Sequence, residues 1–263
     1  MALNATRRKE VQGLIPEGAL TSRPWLLDEG NLSTSAVDNL VKSGELTVVA
    51  KGVYTRGNRK PKWQVVVEAL QQIFKTDLTI GGLTALELKG YGHYVTSGKK
   101  QTIHLYGTDK LPYWVNLLDP EVQFRKHLRS ELFQGVAQMV LEEFYSEEPF
   151  DGNDPVKVSR PELACLELLA DIPDEVTFNH AHQLLQGITT LSPRKLQRLL
   201  ELCTSVKTKR LFLWFGKNYE YNWYQNLKLN TIHLGSGNRV IAKGGQLDND
   251  FKITVPITSN YDL

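Results

Sequence analysis

Along the first 57 residues, apolar positions recur in short blocks whose spacing changes from helical to strand-like. A helix is expected to run to Leu14 with Asn4 or Thr6 as its cap, and a second one occupies the region from Ser22 to Glu29, punctuated by Gly18 and Pro24. After a Gly30-Asn31 turn, Val37, Leu40 and Val41 share one face of a third helix, leaving Thr34, Ser35, Asp38, Asn39 and Lys42 outward. Ser33 is suited to cap that helix, and Gly44 to end it in a left-handed conformation. Glu45 to Ala50 then reads as a strand, Lys51-Gly52 as a tight turn and Val53 to Arg56 as the return strand. Three helices followed by a hairpin predict a winged helix-turn-helix, with its core at residues 4–57.

Downstream, Trp63 to Lys75 predicts a helix with Val66, Leu70, Ile73 and Phe74 inward. Thr79 to Leu88 reads as helical after a glycine turn, and Gln101 to Tyr106 alternates like a strand. Leu132 to Tyr145 fits a strand or a helix equally well. Ser146 to Asp154, acidic and containing Pro149 and Gly152, reads as a surface loop. Ser159-Arg-Pro-Glu and Ser192-Pro-Arg-Lys both place a cap residue and an early proline before leucine-rich helices, with another short helix from Phe178 to Leu185. In the tail, Arg210 to Phe215, Asn230 to Leu234 and Phe251 to Val255 read as strands. The expected fold is mixed α/β (α+β): a winged helix-turn-helix over 1–95, and a larger α+β domain over 96–263.

Composition adds little to that picture: of 263 residues, 41% are hydrophobic and 23% charged, ordinary for a soluble globular protein. No apolar run reaches the roughly 18 residues of a membrane span, and the N-terminus lacks the apolar core of a secretory signal, so a cytoplasmic address is expected. Cys165 and Cys203 sit among leucines at helical spacing and read as buried reduced thiols. The net charge of +2 conceals a division, because acidic residues crowd 142–175 whereas Arg194, Lys195, Arg198, Lys207, Lys209 and Arg210 crowd the region after it.

Two regions have side chains suited to recognition. In the third helix Thr34 and Ser35 can bond phosphate or base edges and Asn39 can pair with adenine, while Lys42, Lys51, Arg56, Arg59 and Lys60 can supply salt-sensitive phosphate contacts. Asp38 on the same face opposes phosphate, and a winged helix used for protein contact alone is the competing reading. The second basic cluster fits RNA, a nucleotide or an acidic partner, and equally an ordinary solvated helix face. The glycines of Gly235-Ser-Gly-Asn-Arg239 and Gly244-Gly245 read as hairpin turns, because the residues that complete a phosphate loop do not follow them. His180 and His182 on one helix point about 200 degrees apart and make a poor metal pair. No catalytic constellation, metal site or cofactor is expected.

Taken in order, Lys51-Gly-Val-Tyr54, Gly81-Gly-Leu-Thr-Ala-Leu-Glu-Leu88 with Gly92-His-Tyr-Val95, Ser159 to Leu169, Cys203 to Trp214, Leu234 to Arg239, Lys243-Gly-Gly and Thr254-Val-Pro256 resemble AbiEi-type antitoxins of AbiE-type (type IV) toxin-antitoxin systems over nearly the whole chain. The resemblance implies a regulator that binds inverted repeats in its own promoter and represses its operon. It further implies that the C-terminal part neutralises a nucleotidyltransferase-like toxin, often without a stable complex. On that analogy Arg194, Lys195, Arg198, Lys207, Lys209 and Arg210 are the expected antitoxin surface. A plain repressor, with a C-terminal part serving ligand binding or dimerisation, is the alternative, and a nucleic-acid enzyme with a DNA-binding head ranks third.

Overall fold

The computed structural model describes residues 5–92, 100–150 and 154–257. Asn4, residues 93–95 of the glycine-led motif, and 151–153 of the acidic loop therefore lie outside the described residues. The N-terminal part comprises α1 (Ala5–Leu14), β1 (Leu20–Ser22), α2 (Arg23–Asp28), α3 (Thr34–Lys42), β2 (Leu46–Ala50) and β3 (Val53–Arg56). Two of its three helices start on a serine cap: the hydroxyl of Ser33 accepts from Ala36 N–H as expected, and that of Ser22 accepts from Trp25 N–H. At Gly30, a Cβ would lie 2.6 Å from the Leu26 carbonyl oxygen, so the turn between α2 and α3 admits glycine alone. Val37 and Leu40 join Val11, Ile15, Leu26, Leu46 and Tyr54 in a compact core, and β1 adds to the hairpin in the order β1-β3-β2. Short strand β1 escaped the sequence reading because its three residues lead directly into α2.

The second part begins with α4 (Trp63–Gln72), followed by β4 (Thr79–Ile80), α5 (Gly82–Leu88), β5 (Gln101–Gly107), β6 (Val122–Leu128), α6 (Gln138–Leu141), β7 (Tyr145–Glu148), β8 (Val156–Ser159) and α7 (Pro161–Ala170). These strands form one mixed sheet in the order β6-β5-β4-β8-β7, with β5 parallel to β6 and β4 parallel to β8. The remaining elements are α8 (Phe178–Gln186), α9 (Pro193–Leu202), α10 (Val206–Asn218), α11 (Asn222–Gln225), β9 (Arg239–Val240), β10 (Gln246–Asp248) and β11 (Ile253–Val255), the last three ordered β10-β11-β9. One continuous core takes in Leu20 of β1 and Val53 of β3 and runs from Val66 through β4, β5 and α7 to Val255. Helix α4 contacts β1 on one side and β4 and β8 on the other, and Gln71 fixes it by donating to the Leu78 and Lys157 carbonyls while accepting from Lys157 N–H.

Several expectations are corrected here. Thr79-Ile80 is the central strand of the sheet, and the helix begins only at Gly82. Ser146 to Glu148 belong to edge strand β7 instead of a loop, paired with β8. Residues 132–144 form neither a single strand nor a single helix; a short α6 and a 3-10 turn precede β7. Arg160, not Ser159, is the N-cap of α7, and the Ser159 hydroxyl instead donates to Glu167 at 3.1 Å. Most consequentially, Arg210 to Phe215 lie inside helix α10, and residues 229–231 make a 3-10 turn where a strand was expected. Every residue of α10 from Thr208 to Gly216 is buried. A helix enclosed on all sides carries no amphipathic period, and its apolar run is indistinguishable from a buried strand.

Candidate nucleic-acid interface

Helix α3 projects Thr34, Ser35 and Lys42 into solvent, with Asn39 and Asp38 half-buried on the same outer face. Ser35 shares a 3.1 Å hydroxyl contact with Ser33, which keeps both near the helix N-terminus where backbone N–H groups favour an anion. The carboxylate of Asp38 accepts from Arg23 Nη2 at 2.9 Å, and Arg23 Nη1 donates to the Tyr54 hydroxyl at 3.2 Å. These two bonds, to Tyr54 and then to Asp38, raise the affinity of the Arg23 guanidinium for its proton and tie α2, α3 and β3 together. The like-charge objection to Asp38 therefore weakens, since its negative charge is countered within the protein. Lys51 stands exposed in the β2–β3 turn, where Gly52 takes φ +76.

Other basic residues are committed to the fold. Arg56 Nη1 donates to the Gln12 and Ile15 carbonyls at 3.0 and 2.8 Å, closing the end of α1. Lys60 pairs with Asp119 at 2.7 Å and links the segment after β3 to the second part of the molecule. Arg59 is exposed beside these two. The structure thus brings Thr34, Ser35, Asn39, Lys42 and the hairpin turn forward, and gives Arg56 and Lys60 structural partners.

The second basic cluster is divided more sharply. Arg194 and Arg198 are exposed on α9 and Lys195 is half-buried, with Arg198 Nε 2.6 Å from Glu143. The acidic and basic stretches consequently meet, at least at this pair, instead of presenting separate faces. Lys207 donates to the Ala170 and Ile172 carbonyls, and Lys209 and Arg210 are only 3% and 2% exposed. Lys209 Nζ reaches the His233 carbonyl at 2.5 Å. Arg210 donates through Nε to Leu234 at 2.8 Å, through Nη2 to Gly235 at 3.1 Å, and through Nη1 to Gly237 and Lys252 at 2.5 and 3.3 Å. The expectation of a surface running through Lys207, Lys209 and Arg210 is corrected on this ground. The burial of Lys209 and Arg210 follows from the helical state of α10, which turns them toward residues 233–237, whose carbonyls they meet, while Lys207 is held half-buried against the end of α7.

Sequence reasoning also missed a polar group inside the main core. His104 Nδ1 lies 2.9 Å from His127 Nε2, His127 Nδ1 lies 3.0 Å from Asp171, and the Tyr106 hydroxyl donates to Asp171 at 2.5 Å. Burial holds His104 down at about 4. Nearby, Glu167 accepts from Gly82 N–H at 2.9 Å and from Ser159, and burial pushes its carboxyl up to about 7. These residues come from β5, β6 and α7, so no local motif announces them.

The class so defined is a mixed α/β protein with an N-terminal domain and a larger C-terminal domain. The chain matches the family described as "Transcriptional regulator, AbiEi antitoxin, Type IV TA system" over residues 100–256, and that described as "Transcriptional regulator, AbiEi antitoxin N-terminal domain" over residues 4–97. It belongs to the AbiEi family of antitoxin transcriptional regulators of type IV toxin-antitoxin systems. No curated protein matches at the level required for relatedness. A similar solved structure is the crystal structure of the RV2827C protein from Mycobacterium tuberculosis, 14% identical, covering 98% of this chain and 94% of that one with a TM-score of 0.54. At that identity the likeness concerns the fold alone. Among the described residues no helix is long and apolar enough to cross a membrane.

Proposed function

We propose that residues 5–57 act as a winged helix-turn-helix that binds inverted repeats in the protein's own promoter, with α3 in the major groove and the β2–β3 hairpin as the wing. The observation that carries this reading is the outer face of α3: short polar side chains at its N-terminal end, Lys42 at its other end, and an acidic residue already countered by Arg23. Asn39 is the base-reading side chain, Thr34 and Ser35 position the helix on phosphate, and Lys42, Lys51 and Arg59 supply the counterion-releasing contacts. Arg56 and Lys60 support this unit from within, by their bonds to α1 and to Asp119.

The larger part neutralises a nucleotidyltransferase-like toxin, and the surface assigned to that role narrows to Arg194, Lys195 and Arg198 on α9. Lys207, Lys209 and Arg210 hold that part together through backbone carbonyls. Promoter binding by the full chain, read by fluorescence anisotropy across a salt series, tests the DNA assignment. Asn39→Ala is expected to weaken specific binding by roughly 1–3 kcal/mol, the worth of a bidentate base contact. Lys51→Ala is expected to lower the logarithmic salt slope by about 0.9. Unchanged affinity and slope in both variants would place the DNA on another surface.

A further inference from the structure

Two histidines and a carboxylate converge where β5, β6 and the end of α7 meet. Each of His104, His127 and Asp171 offers one donor atom, and these atoms lie within 4.8 Å of one another. His127 lies between the other two, its Nε2 2.9 Å from His104 Nδ1 and its Nδ1 3.0 Å from Asp171, so an ion no more than about 2.8 Å from each donor would take the place of one of those hydrogen bonds and draw the donors in by under about 1 Å to bonds of about 2.0–2.2 Å. We propose that His104, His127 and Asp171 form a binding site for one divalent transition ion of the zinc class.

The donor set, two imidazoles and a carboxylate, suits a borderline ion such as zinc. Its supports are those of a held site. Thr84 Oγ1 accepts from His104 N–H at 2.9 Å, fixing the strand position of that ring, and the Tyr106 hydroxyl orients Asp171. Tyr106 also stacks on His127 with centroids 4.6 Å apart and 16° between planes, which sets the orientation of the second imidazole. Partners that fix the orientation of ligands in this way are what metal sites use to preorganise their first ring of donors. The side chains of His127 and Asp171 remain 10% and 9% exposed, giving an ion a way in while His104, 4% exposed, closes the inner side. Two imidazoles and a carboxylate so little exposed cost desolvation that apolar residues would avoid, and a bound cation offsets that cost.

The test uses the full chain stripped with chelator and titrated with zinc chloride by calorimetry, with cobalt chloride as a spectroscopic probe. One zinc per chain, a rise in melting temperature, and visible cobalt absorption of a site with fewer than six ligands are expected. His127→Gln and Asp171→Asn should each weaken zinc binding at least tenfold, while the His180→Gln/His182→Gln double variant leaves it unchanged. No stoichiometric zinc binding, or binding that survives His127→Gln, overturns the proposal. Should the substitutions unfold the chain, anomalous diffraction at the zinc edge from crystals grown with one equivalent of zinc decides the matter. A peak between His104, His127 and Asp171 supports the site, and a peak elsewhere or none overturns it.

Discussion

Replacing Glu167 with glutamine isolates the effect of a carboxyl buried at the joint between β4, α5 and α7. The side chain is 2% exposed and accepts from Gly82 N–H and from the Ser159 hydroxyl, an arrangement that glutamine can reproduce because its amide oxygen accepts and its amide nitrogen donates to the serine oxygen. Burial raises the carboxyl from 4.5 to about 7, while its hydrogen bonds to Gly82 and Ser159 and the nearby Arg129 act in the opposite sense. A folded-state value above the unfolded one means that the native protein holds the proton more tightly. The stabilisation is fully present below pH 4.5 and is lost as pH rises through about 7. At 1.36 kcal/mol per pH unit, the loss approaches roughly 3 kcal/mol at alkaline pH. Glutamine cannot ionise, so Glu167→Gln should gain on the unaltered chain as pH rises from 5 to about 7 and level off above that. For a chain of this size the gain corresponds to about 6 °C or more in melting temperature. Thermal and urea unfolding at several pH values between 5 and 8 measure it. Stability curves that stay parallel across this range would refute the claim that Glu167 is held protonated by burial.

Three further outcomes follow from charged side chains whose roles the structure separates. Arg210→Met removes the donor to four backbone carbonyls and should lower unfolding free energy by roughly 3–5 kcal/mol, seen as a reduced urea midpoint; an unchanged midpoint contradicts the clamp. Arg56→Ala should cost about 1–2 kcal/mol of stability through the lost bonds to Gln12 and Ile15, while the salt slope of promoter binding stays as in the unaltered chain. A slope reduced by about one would instead return Arg56 to the phosphate contacts. Charge reversal at Arg194 and Arg198 should abolish protection against the toxin with promoter binding retained, and protection that persists removes α9 from the antitoxin surface.

Local chemistry was the most legible part of the chain. Ser33 and Ser192, read from the sequence as caps, each accept from a backbone N–H in the first turn of their helices, and such caps depend on neighbours three residues away. The β2–β3 hairpin was equally plain, because its turn and alternation lie within a dozen residues. Helix α10 was hidden because enclosure erased its period, although Ser205, accepting from Thr208 N–H, is a cap signal that could have revealed it. Strand β4 was hidden by its two-residue length, and its partners β5 and β8 lie far along the chain. For the candidate sites the same distinction holds. The outer face of α3 follows from helical spacing alone, whereas the burial of Lys209 and Arg210 depends on carbonyls of residues 233–252. The His104–His127 pair, 23 residues apart on neighbouring strands, depends on register that no short motif encodes.

Strand β4 also dictates how the two activities should be separated. A fragment beginning near residue 95 would lack α4, β4 and α5, and thus the central strand of the five-stranded sheet and part of its core. The full chain with the DNA face altered is the sounder probe. The decisive measurement is growth of cells that express the proposed toxin, the product of the adjacent gene, together with full-length Thr34→Ala/Asn39→Ala/Lys51→Ala, carrying a reporter driven by the protein's own promoter. The account predicts full protection with the reporter derepressed, because recognition of DNA and neutralisation of the toxin reside on different surfaces. A reporter still repressed, or protection lost although the chain is folded, would contradict it.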